Sequence, residues 1–248
     1  MKKKFYLTAA IPYVNAAPHL GHALEFIQSD VIARYHRLLD DKTTLLTGAD
    51  ENSLKNVQAA EKEGITPKKL CDLNSQKFQK LISTLNTSFN VFQRSTSDNH
   101  FQGSQELWQL CFQNGDIYKK KYKGRYCVGC EAFYTKEELT KEGFCPEHLT
   151  RPQEIEEENY FFRLSKYQKT LEDLISTDKL KIIPQTRKNE VLSFIKMGLN
   201  DFSISRTKER AKNWGVPVPG DPDQIIYVWF DALNVYQTGV GFGWDEGM

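Results

Sequence analysis

What the chain lacks narrows its reading first. Its 248 residues contain no apolar run near the ~20 needed to span a bilayer, so no membrane role is expected. It has no surplus of either charge: 33 Lys and Arg face 32 Asp and Glu, leaving a net charge of +1. Overall electrostatics therefore gives no case for a nucleic-acid partner, and any such claim must rest on particular residues. No internal repeat or low-complexity tract is visible. Cysteine is scarce: of five, three fall in a metal-like spacing, while Cys71 and Cys111 sit in amphipathic helical stretches. That usage fits a reducing cytoplasm, where the protein is expected to reside.

The amino terminus copies a secretory signal superficially, with Lys2, Lys3 and Lys4 before a mildly apolar stretch from Phe5 to Val14 and then Asn15-Ala16-Ala17. Thr8, Pro12 and the tyrosines within it fit a first β-strand running into a chemically active loop instead.

Ordinary proportions of apolar residues (40%) and charged residues (26%) describe a globular chain of one large domain or two smaller ones. Phe5 to Ala10 reads as a buried strand. Pro18 then stands at the first position of a helix with Leu20, Leu24, Ile27, Val31, Tyr35 and Leu38 at three- and four-residue steps. Thr43 to Ala49 reads as a second strand, followed by a helix to Glu63 that stops at Gly64. This alternation implies a parallel sheet. Thr66 and Pro67 start another helix, and Asp98 caps one running through Phe112.

From Gly115 the segments become short, aromatic and basic, with an acidic run from Glu154 to Glu158 and a helix near Tyr167 to Ile175. This region reads as an inserted domain. Ile225 to Phe230 is apolar again and reads as a strand, with Pro217, Pro219, Gly220 and Pro222 marking a linker back to the sheet. The expected division is therefore 1–115 for the first half of a Rossmann-type α/β catalytic domain, 116–222 for the insertion, and 223–248 for the return. A chain stopping just past a strand's functional edge reads as the first portion of something longer.

Two constellations carry chemistry. Pro18-His19-Leu20-Gly21-His22 lies where a strand hands over to a helix N-terminus, which favours phosphate. Imidazoles three residues apart share a helix face, and Gly21 leaves room for a flat base against the backbone. The plainer alternative is a pair of surface histidines. The second constellation is Cys127-x-x-Cys130 with Cys145-x-x-His148. Paired ligands at that spacing suit tetrahedral zinc in a closed, structural shell, against the alternative of unliganded buried cysteines.

With Ala10 to Asn15, His19 to His22, Thr47 to Asn52 and Trp229 to Ala232, the sequence resembles the class I methionyl-tRNA synthetases across nearly its whole length. Tyr126 to Glu131, Glu158 to Phe162 and Asp201 to Arg206 follow the forms with one zinc in the insert. The resemblance implies activation of L-methionine with ATP to methionyl-adenylate, then transfer to the 3′ end of tRNA(Met). It implies that His19 and His22 stabilise the ATP phosphates, with Asn15, Gly21 and Glu25 also around the nucleotide. Asp50 would pair with the methionine ammonium group; Ile11, Tyr13, Trp229, Ala232 and Tyr236 would surround its side chain; Arg206 would stand near the site's mouth. Zn²⁺ in the insert and Mg²⁺ with ATP are the implied cofactors.

Two departures qualify this. Asn52-Ser53 stand where the family often has His-Gly, and neither the Lys-Met-Ser-Lys-Ser loop nor an anticodon-binding domain is present, so weak activity or none is expected of the chain alone. Rival readings are a small-molecule nucleotidyltransferase, a sister synthetase for cysteine, leucine, isoleucine or valine, and a paralogue that only binds tRNA or a protein.

Overall fold

The computed structural model describes residues 2–127, 129–130, 132–134, 136 and 138–245. Val128 and Glu131 of the cysteine stretch, and 246–248 at the carboxyl end, lie outside them.

The chain opens with β1 (Lys4–Thr8), α1 (Leu20–Leu38) and β2 (Lys42–Ala49), then α2 (Leu54–Glu63), α3 (Pro67–Thr84) and β3 (Val91–Arg94). The strands form a parallel sheet in the order β1-β2-β3. Helical crossovers between parallel strands are what such pairing requires. The aromatic and β-branched run of β1 and the Leu45-Leu46-Thr47 run of β2 favour extended backbone. Gly64 ends α2 in the left-handed region, at φ 66°. Thr66 accepts from the Lys69 N–H (3.3 Å), with Pro67 opening α3. Phe26, Val14, Ala9, Ala49 and Phe78 bury together beneath the sheet's functional end.

Some local expectations need correction. The first helix begins at Leu20 with His19 as its N-cap, so Pro18 precedes the cap. Its stripe from Leu20 to Leu38 faces outward, Leu20 being 85% exposed, while Phe26, Ser29, Asp30 and Ala33 pack inward. In α4 (Asp98–Gln113) Ser97 is the N-cap and Asp98 the first residue.

The insertion is a four-stranded antiparallel sheet, ordered β5-β4-β6-β7, from β4 (Ile117–Cys127), β5 (Ala132–Tyr134), β6 (Gln153–Phe162) and β7 (Phe202–Ser203). The acidic run explains its register: Lys121, Lys123 and Arg125 lie opposite Glu158, Glu156 and Glu154. Opposed charges across a ladder are worth about 0.2–1 kcal/mol each, and a one-residue slip would move every side chain to the other face. A 3₁₀ turn (Leu164–Tyr167) precedes α5 (Gln168–Ser176), which packs with α6 (Gln185–Lys196) around Ile175, Ile195 and Leu199.

The largest correction concerns the last segment. Pro217 to Pro222 form no simple linker: β10 (Asp221–Ile226) pairs with β9 (Pro217–Val218) on one side and β8 (Ser205–Thr207) on the other in an antiparallel sheet. The expected strand stops at Ile226, and Val228–Ala232 is a short helix, α7, followed by α8 (Val235–Thr238). A short apolar run has no period that separates a buried strand from a buried helix turn. The chain thus meets the parallel sheet again through α8, whose Val235 approaches Gly48 of β2, and not as a further strand.

Candidate active site and metal centre

The carboxyl ends of β1 and β2 run into neighbouring loops that carry Ile11, Tyr13, Asn15 and Asp50. The Asp50 N–H donates to Pro12 O (2.9 Å), making a parallel bridge between Tyr13 and Asp50. Asn56 Nδ2 holds Asp50 O from the next helix (3.0 Å). Asp50 itself is buried. From the opposite side, Trp229 Nε1 donates to Tyr13 Oη (3.1 Å), and Lys55 lies over the Tyr13 ring at 4.7 Å. The Ile11 N–H donates to Tyr236 Oη (3.3 Å), Tyr6 Oη donates to Tyr236 O, and Glu25 Oε1 accepts from the Ala10 N–H (2.6 Å). Burial raises the Tyr236 hydroxyl pKa; the Ile11 N–H opposes that rise, while the Glu25 and Asp50 carboxylates add to it. Ala232 is buried one turn from Trp229, a residue 54% exposed.

The α1 N-terminus is organised by its histidines. His19 Nδ1 accepts from the Gly21 N–H (3.1 Å), and His22 Nδ1 accepts from the His19 N–H (3.1 Å). With Nδ1 committed as acceptor in each ring, Nε2 is left to carry the proton as a donor. The rings stack at 3.9 Å, and His22 packs edge-on to buried Phe78 at 5.0 Å. Burial lowers the His22 pKa, His19 adds to this, and Glu25 opposes it. Gly21 has a local reason beyond room for a base: a Cβ there would stand 2.9 Å from His19 Cε1. Asn15, His19 and Gly21 are all exposed.

Arg206 sits deeper than a mouth residue. It is buried on β8, donates to Ser203 Oγ (2.9 Å) and Ser205 O (2.7 Å), and stacks on Tyr227 at 4.2 Å. It lines a cavity with Asn52, Tyr126, Arg210, Trp214 and Val228, next to α7.

In the insertion, Cys127, Cys130, Cys145 and His148 bring one ligand atom each to within 4.8 Å of one another, a cluster able to hold a metal ion. A tetrahedral site with Zn–S bonds near 2.3 Å places sulfurs roughly 3.8 Å apart, so the donor set fits. Cys130 Sγ is 3.3 Å from Cys145 Sγ and 3.1 Å from His148 Nδ1, and Tyr134 Oη donates to Cys130 Sγ (3.0 Å). A Cβ on Gly129 would come within 2.6 Å of His148 Cδ2, so only glycine lets that ring close on the cysteines.

Several important residues had no role assigned from the sequence. Glu51, fully buried, receives Arg94 Nε (2.7 Å), Ser75 Oγ (2.5 Å) and Thr96, while its backbone oxygen accepts from Trp214 Nε1 (2.7 Å). His100, Ser104 and Thr238 gather around Asp231. His100, Ser104 and Thr238 look like ordinary helix residues in the sequence; Glu51 and Asp231 lay within recognised motifs without an assigned role, and Asn52 stood out only as a departure from one.

Comparison with known proteins places the chain in a family. Residues 5–154 and 148–245 match the family described as tRNA synthetases class I (M). The chain is 45% identical over 244 residues to the methionine–tRNA ligase of Brucella suis biovar 1, covering 97% of this chain and 47% of that protein. Against the methionine–tRNA ligase of Thermotoga maritima it is 43% identical over 248 residues, covering 99% and 39%. It superposes at a TM-score of 0.90 on the crystal structure of Mycobacterium tuberculosis methionyl-tRNA synthetase bound by methionyl-adenylate, 45% identical, over 97% of this chain and 48% of that one. The chain thus spans about half the length of these relatives, or less. Family match, near-complete coverage of this chain and superposition agree: the chain belongs to the class I tRNA synthetases of the (M) group.

Proposed function

We propose that this chain is the catalytic portion of a methionine–tRNA ligase, which joins L-methionine to ATP as methionyl-adenylate and passes it to tRNA(Met). The observation that carries this reading is the convergence of Tyr13, Asp50, Trp229 and Tyr236 at the end of the sheet from which α1 departs. Asp50 pairs with the substrate ammonium, a charge-assisted contact in a buried setting. Ile11, Tyr13, Trp229, Ala232 and Tyr236 receive the thioether, which offers no charge and is read by shape and sulfur–aromatic contact. The methionine carboxylate oxygen then attacks the α-phosphorus as the bond to pyrophosphate breaks. His19 and His22 donate from Nε2 to the phosphates, within the positive end of α1, with Asn15, Gly21 and Glu25 around the nucleotide. Mg²⁺ accompanies ATP and offsets its charge. Arg206 acts from behind α7 by supporting its neighbours.

Zn²⁺ is the metal that best suits Cys127, Cys130, Cys145 and His148, and a closed shell of four protein ligands gives it a structural role. The domains divide as 1–115, 116–222 and 223–248, with β10 (Asp221–Ile226) crossing the last boundary and the final part joining as helices. A cytoplasmic location goes with three reduced thiols held as ligands. Among the described residues no helix is long and apolar enough to cross a membrane.

Equilibrium binding of amino acids, followed by tryptophan fluorescence, and methionine-dependent ATP–pyrophosphate exchange test the reading. Methionine should bind in preference to leucine, isoleucine, valine and cysteine, and Asp50→Asn should abolish binding. Equal binding of all five amino acids would refute it; methionine-dependent exchange, however weak, would support catalysis over a binding role.

A further inference from the structure

The wall that carries Trp229, Ala232 and Tyr236 is built from helices of five and four residues, neither with a side-chain cap. Helices so short do not hold themselves in water, so something else must seat them. That seat is a buried polar network. Asp231 of α7 is 0% exposed, and its Oδ1 accepts from His100 Nε2 (2.8 Å) and Ser104 Oγ (2.9 Å). Its Oδ2 accepts from Asn52 Nδ2 (2.7 Å), which also donates to Ser95 O (2.9 Å). The other ring nitrogen of buried His100 meets Thr238 Oγ1 of α8 at 2.8 Å. One imidazole on α4 therefore grips both wall helices, while Asn52 ties the same carboxylate to the turn that presents Asp50.

We propose that His100, Asp231, Asn52 and Thr238 are positioning residues that fix the distance between the side-chain wall and Asp50, and so set selectivity for the apolar substrate side chain. This rests on the methionine reading above. Asn52 stands where the family motif often has histidine, so in this chain the link from turn to wall runs through an amide. A buried network of this kind adds little stability over an apolar core but specifies one arrangement, because any other leaves a charge or donor unpaired. Trp229 gains from that specification: the residue is about half exposed, and beyond its bond to Tyr13 its own burial fixes it only in part.

Four variants of the chain test this: His100→Gln, Asn52→Ala, Asp231→Asn and Thr238→Val. Dissociation constants for L-methionine, L-leucine and ATP are measured for each alongside its melting temperature. Methionine affinity should fall about tenfold and the methionine-to-leucine ratio should shrink, since apolar pockets discriminate by no more than roughly 10- to 200-fold per methylene. ATP affinity should stay within about twofold, the histidine end of the site being untouched. Thr238→Val removes a single hydroxyl and decides the matter if His100→Gln does not fold. Unchanged methionine affinity in folded Thr238→Val and Asn52→Ala, or equal weakening of methionine and ATP, would overturn the proposal alone. A parent chain that does not prefer methionine to leucine would overturn the functional reading and this one with it.

Discussion

Replacing Glu51 by glutamine keeps the shape of a fully buried side chain while removing its charge. The carboxylate takes Arg94 Nε at 2.7 Å, Ser75 Oγ at 2.5 Å and the Thr96 N–H at 3.3 Å, besides the Thr96 hydroxyl. Removing one partner of a buried pair costs about 3–5 kcal/mol, because the other charge loses its compensation. Arg94 is 29% exposed and keeps Asp72 at 2.7 Å, so part of that cost is recovered. The expected loss is therefore at the low end, about 3 kcal/mol. For a chain this long, about 2–4 °C per kcal/mol gives a fall of roughly 6–12 °C in Tm. Urea unfolding, with the m value checked for constancy, measures it directly. An Arg94→Gln partner and the double variant complete the cycle, with a coupling of at least about 1 kcal/mol expected between groups in contact. A loss under about 1 kcal/mol with no coupling would show that Glu51 is held by its hydroxyl and amide donors alone, and the argument from buried charge would fail.

Other outcomes follow from the same geometry. Gly129→Ala should push the His148 ring off the cysteines and weaken zinc binding about tenfold or more, read by competition with a chromogenic chelator; unchanged affinity would contradict the 2.6 Å clash. Phe78→Ala should cost about 3–5 kcal/mol as a cavity in the main core and loosen His22, seen as broadening of its ring resonances. His22 has a folded pKa below its unfolded value of about 6.5, so the unfolded chain gains the proton first on acidification. Its contribution to stability is present above about pH 6.5 and is lost as pH falls through the lower folded value, a slope that His22→Gln should remove from the denaturation profile.

The histidine pair at the α1 N-terminus and the Cys/His cluster were legible in the chain because each depends on local spacing. His19 and His22 are one helical turn apart wherever that helix goes, and Cys-x-x-Cys with Cys-x-x-His can close on one ion once a hairpin folds. Strand, helix, strand likewise followed from periodicity, and Gly64, Thr66 and Pro67 marked boundaries through their own backbone preferences. The outward face of α1 was not legible, since an apolar stripe records what a helix could bury and not what lies beside it.

The stretch from Ile225 to Ala232 marks the same boundary between local and global information. Its residues suit either a strand or a helix, and pairing of Asp221–Ile226 with β8 and β9 ended the strand before Trp229. Only the folded chain could bring His100 to Asp231, 131 positions away, or Glu51 to Arg94. Motif chemistry is written within a few residues, because it needs neighbours on one turn or one loop. The seating of the wall that faces Asp50 depends on contacts between segments distant in the chain, which exist only after the sheets and helices have packed.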